Sequence, residues 1–204
     1  MSRVSRSELL YSGCYVHVIS RSIRKLKLFH EAKDFLYFKE LLIKAKKNGK
    51  FKVYHYCLMQ THFHLVVKMD DLRCFSSALR DVKRNYAYQF HLKYKLSGPI
   101  WRERYKSLLI ENEKYLYACG RYIEDNPVKA KIAKEGIDWV YSSGRYYELK
   151  EADELVDGYD QDFKKNEELL RDGQKFESGS VIGSDFFKFQ FFQSRKRSRP
   201  VPLQ

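Results

Sequence analysis

The spacing of apolar residues changes period several times along the chain. From Cys14 to Ser20, the run CYVHVIS is dense in β-branched and aromatic side chains and predicts a strand. Asp34 to Asn48 shifts to helical spacing, with Phe35, Phe38, Leu41 and Leu42 on one face and Asn48-Gly49 as a stop. Phe51–Leu58 and His62–Met69 predict two strands joined by the short turn Met59-Gln60-Thr61. Phe75–Lys95 returns to helical spacing and ends before Ser97-Gly98-Pro99. Ser107–Ile110 predicts a further strand, and Asn112–Asp125 a helix with Asn112 as N-cap. The order β-α-β-β-α-β-α, with no internal repeat, predicts an α+β fold: a ferredoxin-like antiparallel sheet with helices packed on one face.

Composition narrows the class. Hydrophobic residues make up 44% of the 204 positions, which excludes wholesale disorder. No apolar run approaches the ~18 residues of a membrane span, and the first residues, MSRVSRSELLYSG, lack the apolar core of a signal peptide. Cys14, Cys57, Cys74 and Cys119 show no paired spacing, so reduced thiols in a soluble cytoplasmic protein are expected.

Charge is unevenly distributed. Residues 1–150 contain 30 Lys and Arg against 15 Asp and Glu, whereas residues 151–204 contain 9 against 11. This shift divides the chain into a basic body, 1–150, and a C-terminal extension, 151–204, made of an acidic linker and an aromatic, basic tail. A basic body with 16 tyrosines and 14 phenylalanines suits nucleic acid, since cations meet phosphates and rings stack on bases. The acidic stretch after Lys150 is either a linker or a polyanion folded over the basic face.

Two short segments hold candidate chemistry. In Thr61-His62-Phe63-His64, a strand sends both imidazoles to one face, half of a divalent-metal site. The alternative is a hydrogen-bonded pair at a strand end. In Arg121-Tyr122-Ile123-Glu124-Asp125-Asn126-Pro127, Tyr122 stands in polar surroundings near a helix end. Continued helix would bring Asn126 to the same face one turn on. An amide oxygen suits Mg²⁺ or Mn²⁺, and a phenol beside a metal-held phosphate suits nucleophilic attack. Against this, Asn126-Pro127 is also a good N-cap and first residue for a new helix, PVKAKIAKEG. Glu124 or Asp125 then remains as a carboxylate ligand.

The segments CLMQTHFHLVV, GPIWRERYKSLLIENEKYLYACGRYIEDNPVKA and DWVYSSGRYY together resemble the single-tyrosine HUH transposases. More closely, they resemble the REP-associated tyrosine transposase branch, over about Gly13 to Tyr147. The resemblance implies a central strand with a metal-binding pair, His62 and His64, and a nucleophile, Tyr122, on a C-terminal helix of the domain. Asn126 falls where a third polar ligand is expected. The implied cofactor is Mg²⁺ or Mn²⁺. The implied partner is single-stranded or hairpin DNA at repetitive extragenic palindromes, with no membrane and with a monomer or homodimer as the working unit. The implied reaction is cleavage and rejoining through a 5′-phosphotyrosine. Lys83, Arg84, Arg104 and Lys106 are candidates for backbone contacts, and Trp101 and Tyr105 for base stacking.

Two departures from the family pattern stand out. Gln60-Thr61 replaces Pro-Asn before the first histidine. Glu124-Asp125 replaces His-Leu beside the nucleophile, where two acids would repel DNA or alter metal binding. Two other readings therefore stay open: a hairpin-binding protein with weakened catalysis, and an RNA-binding ferredoxin-like domain. The tail segments Ser180–Phe186 and Arg195–Pro200 are similar to extensions on many relatives. The apolar run Phe186–Phe192 is expected to dock on the body or on a partner.

Overall fold

A computed structural model describes residues 10–159 and 181–182. The strands are β1 (Cys14–Arg21), β2 (Phe51–Met59), β3 (His62–Met69), β4 (Lys106–Ile110) and a two-residue β5 (Val181–Ile182). The long helices are α1 (Ala32–Gly49), α2 (Leu72–Tyr94) and α3 (Glu113–Glu124), followed by the short α4 (Asn126–Lys129) and α5 (Gly144–Glu148). The sheet order is β2-β3-β1-β4-β5, antiparallel through β4, with β5 parallel to β4. The fold class is the one expected, and the strand bearing the two histidines is interior to the sheet.

The two faces are covered differently. Val16, Val18, Phe63, Leu65 and Val67 point to one side, where Phe35, Phe38 and Leu42 of α1 and Phe75, Leu79 and Tyr86 of α2 complete the main core. On the other side, Val66 and Ile110 pack with Leu116, Cys119 and Ile123 of α3. Helices thus occupy both faces, which corrects the expectation of a single covered face. The physical reason is that α3 has its own apolar stripe, and the alternation of β3 and β4 leaves Val66 and Ile110 for it to cover.

Gly120 lets α3 approach β2 closely, because a Cβ there would overlap the His55 imidazole. At the end of α1, the expected Asn48-Gly49 stop falls one residue later. Gly49 stays helical, pressed against Ala78 and Phe51, and Lys50 takes the left-handed cap (φ 50°). The predicted helix after Asn126-Pro127 shrinks to one turn, closed by left-handed Lys131.

The outer strand β2 has a neighbour on its free side. Leu58 N–H donates to Tyr141 O (2.9 Å), and Cys57 bridges to Ser142 along β2. Residues 151–159 continue on the same body. Leu155 is fully buried, Asp153 accepts from Tyr56 (2.7 Å) and Lys39 (2.9 Å), and Asp157 accepts from Val53 N–H (2.8 Å). Among the described residues no helix is long and apolar enough to cross a membrane. Of the tail segments singled out above, only Val181 and Ile182 fall within the described residues.

Candidate active site

Strand register builds the site row by row. Ladder partners share a face, so Lys106, Ile19, His64 and Cys57 form one row across β4, β1, β3 and β2. Arg21, His62 and Met59 form the next row, and Leu108, His17, Val66 and His55 the row on the other side. All belong to the face that α3 covers.

The ring centroids of His62 and His64 lie 5.0 Å apart at 77°. His64 is buried, and its Nδ1 is 2.9 Å from Nε2 of His17, whose ring stacks on it at 5.1 Å. His62 Nδ1 meets the Thr61 hydroxyl at 3.1 Å. Each Nδ1 therefore has a protein neighbour, which leaves the two Nε2 atoms for a ligand. Burial lowers the His62 pKa to about 4, with Arg21 adding to the effect. Burial also takes His64 well below its ordinary value, helped by His17, His62, Arg21 and Lys129. His17 falls to about 3 through burial alone. Three neutral imidazoles result, and neutral imidazole is the form that binds metal.

Among the described residues no three His, Cys, Asp or Glu side chains form a metal cluster. The donor set is two imidazoles plus whatever a non-acidic group adds. Asn126 is the sequence-derived third donor. It is not an N-cap, since Asp125 occupies that position and Asn126 is the first residue of α4. Its Nδ2 donates to Ile123 O (3.0 Å) and Tyr122 O (3.4 Å), so the amide oxygen is the atom outside those bonds. Neutral imidazoles and an amide oxygen are all donors of kinds that a divalent cation accepts.

Tyr122 lies on α3, half-buried against the Val66–Ile110 cluster. The Lys129 ammonium sits 3.8 Å above its ring centroid and donates to its carbonyl oxygen (3.3 Å). Lys129 is exposed as a residue, yet partial burial of its ammonium lowers its pKa, with Asp125 opposing.

Glu124 faces inward. One carboxylate oxygen accepts from His55 Nδ1 (2.7 Å) and Ser143 Oγ (2.5 Å), and His55 Nε2 meets the Tyr159 hydroxyl. Glu124 is 3% exposed, so of the two acids that follow Tyr122 only Asp125 reaches solvent. The expected repulsion by a pair of acids is corrected accordingly: Glu124 ties the end of α3 to β2.

The remaining candidates separate. Lys106 lies on the histidine face and is exposed, 3.8 Å from Glu103, and Arg104 is exposed next to it. Arg84 is exposed on α2, on the opposite side of the sheet, and pairs with Asp81 (3.1 Å). Lys83 is buried: its ammonium donates to Glu103 O (2.8 Å) and lies 4.9 Å from the Trp101 ring centroid. Trp101 returns a bond to Lys83 O (3.0 Å) and packs on Phe38 and Phe63. Tyr105 is buried with its hydroxyl 2.8 Å from Ser76 Oγ. Lys83, Trp101 and Tyr105 thus serve the main core.

His17, His55, Arg21 and Lys129 escaped the reading by sequence. Alternation placed His17 and Arg21 on one face of β1. Only the β1–β3 register could show that this face meets the histidine pair.

The family described as "Transposase IS200 like" matches residues 10–126, a span that includes both histidines, Tyr122 and Asn126. No curated protein matches the chain. Among solved structures, a REP-associated tyrosine transposase bound to a REP hairpin is similar at a TM-score of 0.61 and 24% identity, over 90% of this chain and 100% of that one. A Deinococcus radiodurans protein described as a transposase gives a TM-score of 0.39 and 16% identity, over 61% of this chain and 97% of that one. The first likeness is one of fold. The second is too distant to bear on the argument.

Proposed function

This chain belongs to the IS200-like transposase family, and on that premise we propose that it cleaves and rejoins single-stranded DNA next to a hairpin, with Tyr122 as nucleophile. The observation that supports this best is the pair of neutral imidazoles, His62 and His64, on the sheet face that the Tyr122 helix covers. The hairpin follows the fold neighbour, which is bound to a REP hairpin. On this reading the chain belongs to the REP-associated branch.

His62 and His64, with the Asn126 amide oxygen as third donor, would hold Mg²⁺ or Mn²⁺. Once bound, the ion supplies Lewis-acid polarisation of a non-bridging phosphate oxygen. Tyr122 Oη attacks phosphorus. The new Oη–P bond forms as the P–O3′ bond breaks, the phenolic proton passes to solvent, and the leaving oxygen takes up a proton as a free 3′-OH. Attack by a 3′-OH on the 5′-phosphotyrosine reverses these changes and joins strands, with the ester energy conserved. Lys129 holds the Tyr122 ring by its cation–π contact, and Lys106 and Arg104 meet backbone phosphates.

Inward-facing Glu124 leaves Asp125 as the one exposed acid beside Tyr122, which reduces the support for a protein with weakened catalysis. The test is incubation of labelled single-stranded hairpin DNA with Mn²⁺ or Mg²⁺, followed by denaturing gels. A metal-dependent protein–DNA adduct is expected from wild type and is absent from Tyr122→Phe. Tight, metal-independent binding with no adduct across a broad hairpin library would overturn the catalytic reading.

A further inference from the structure

The connection from β1 to α1 contains a backbone feature that packing does not explain. Arg24 (φ 46°) and Lys25 (φ 59°) are consecutive non-glycine residues in the left-handed region, within a single 3-10 turn, Ile23–Lys25. Most L-residues avoid this region, and both side chains here are exposed. Their strain is therefore not offset by burial. Strained backbone of this kind concentrates where a ligand is gripped.

The turn is held on two sides. Ser22 N–H donates to Thr61 O (2.8 Å) and Leu28 N–H to Gln60 O (2.7 Å), which ties it to the β2–β3 turn just before His62. Ile23 N–H donates to Ile100 O (2.9 Å), Arg102 N–H donates to Arg21 O (3.0 Å), and Ser22 bridges to Trp101. This second set brings Arg102 and Arg104 beside Arg21, Arg24 and Lys25. Between Ser20 and Leu28 there is no acidic residue. Among the described residues these five cations make no ion pair, although Glu103 lies in the same segment and pairs with Lys106. With no paired carboxylate among the described residues, the five charges repel one another unless a polyanion lies across them. The ledge also adjoins the site, since Arg21 is the ladder partner of His62.

We propose that the ledge formed by Arg21, Arg24, Lys25, Arg102 and Arg104 is the surface that grips the sugar–phosphate backbone of DNA leading into the histidine pair. This rests on the DNA reading above and adds to it where, and through which cations, the strand is held. The left-handed turn sets the backbone of Arg24 and Lys25 before DNA arrives, so less backbone ordering is left to occur on binding.

The test uses the full chain and a fluorescent DNA hairpin with a single-stranded flank, with affinity measured by anisotropy over a series of KCl concentrations. Each phosphate contact contributes about 0.7–0.9 to the slope of log K against log salt. The triple variant Arg24→Gln, Lys25→Gln, Arg102→Gln should lower that slope by about one per charge removed. A control removes three exposed cations from α1, with Lys33→Gln, Lys44→Gln and Lys47→Gln, and should keep the wild-type slope. A second variant, Arg24→Gly with Lys25→Gly, suits the positive φ. Its melting temperature should hold or rise while affinity falls, which separates charge from folding. An unchanged slope in the triple variant, or an equal loss in the control, overturns the ledge. A wild type that binds no hairpin overturns the DNA reading itself, and the wild-type trace alone reveals that outcome.

Discussion

His17 Nε2 lies 2.9 Å from His64 Nδ1, so an imidazole that no sequence motif marks fixes the ring of one that a motif does. For His64 to offer Nε2 as a lone pair, its Nδ1–H must donate to His17, and His17 must accept. Partners of this kind set both tautomer and orientation, and their removal typically costs metal sites 10–100-fold in affinity. His17→Leu should weaken Mn²⁺ binding by about that factor, as read by the free-Mn²⁺ electron paramagnetic resonance signal, with the far-ultraviolet spectrum unchanged. His17→Gln keeps an acceptor and should recover part of the loss. Equal Mn²⁺ affinity in wild type and His17→Leu would show that His64 is oriented without it.

The Lys129 ammonium over Tyr122 leads to a prediction about rate. At an exposed site a cation–π contact is worth about 0.5–1 kcal/mol, or about two- to five-fold. Lys129→Met should slow adduct formation in single turnover by at least that much while hairpin affinity falls little, and Lys129→Arg should restore most of it. A loss confined to affinity would make Lys129 a phosphate contact instead.

Glu124 and Gly120 both govern how α3 sits on β2. Glu124→Ala leaves the His55 Nδ1 donor buried without its acceptor, while Ser143 Oγ keeps Tyr56 O at 3.2 Å, at a cost of about 1–3 kcal/mol in stability. Gly120→Ala forces a methyl into the His55 ring and should cost about 1–3 kcal/mol as the helix moves away. Urea unfolding measures both. A Gly120→Ala protein as stable as wild type would show that α3 has slack.

Lys83 separates a core role from a DNA role. Lys83→Met removes the bond to Glu103 O and the contact over Trp101, so the urea midpoint should fall while the salt slope of hairpin binding stays as in wild type. A slope lowered by about one would restore Lys83 to the DNA-contacting set.

Acid stability should depend on Asp34. Burial alone would raise its pKa, but hydrogen bonds from Lys93, Tyr94 and the His30 and Glu31 amides outweigh that and hold it below its ordinary 3.8. A depressed carboxylate contributes stability above its unfolded pKa and loses it as pH falls through the folded value. Wild type should therefore lose this contribution below about pH 4. Asp34→Asn should be less stable at neutral pH and show a shallower decline in that window. Parallel pH curves for the two proteins would refute the assignment.

Much of the frame was legible because its signals are local. The alternation in β3 put His62 and His64 on one face, and the helical stripe of α3 placed Tyr122 near a helix end. What escaped depends on partners distant in sequence. The His17–His64 bond spans 47 residues and the His55–Glu124 bond 69, and each needs a strand register that no periodicity encodes. The Asn126-Pro127 pair looked like a helix start because proline usually excludes helical geometry before it. Here the N-cap is Asp125 (φ −80°, ψ −5°), and Asn126, although it precedes the proline, is already the first residue of α4 and bonds backward to the last carbonyls of α3. Lys83 looked like a surface cation because only the tertiary structure sets Trp101 beneath it.

The outer strands of the sheet have a consequence for self-association. Val181 and Ile182 lie along β4, and the Tyr141–Ser142 segment lies along β2, so the chain itself lines both borders of the sheet. Unpaired strand borders invite growth by addition of further copies. A chain shortened after Tyr159 would lose Val181 and Ile182 from beside β4 and uncover peptide groups there, and it should form soluble oligomers at concentrations where the full chain does not.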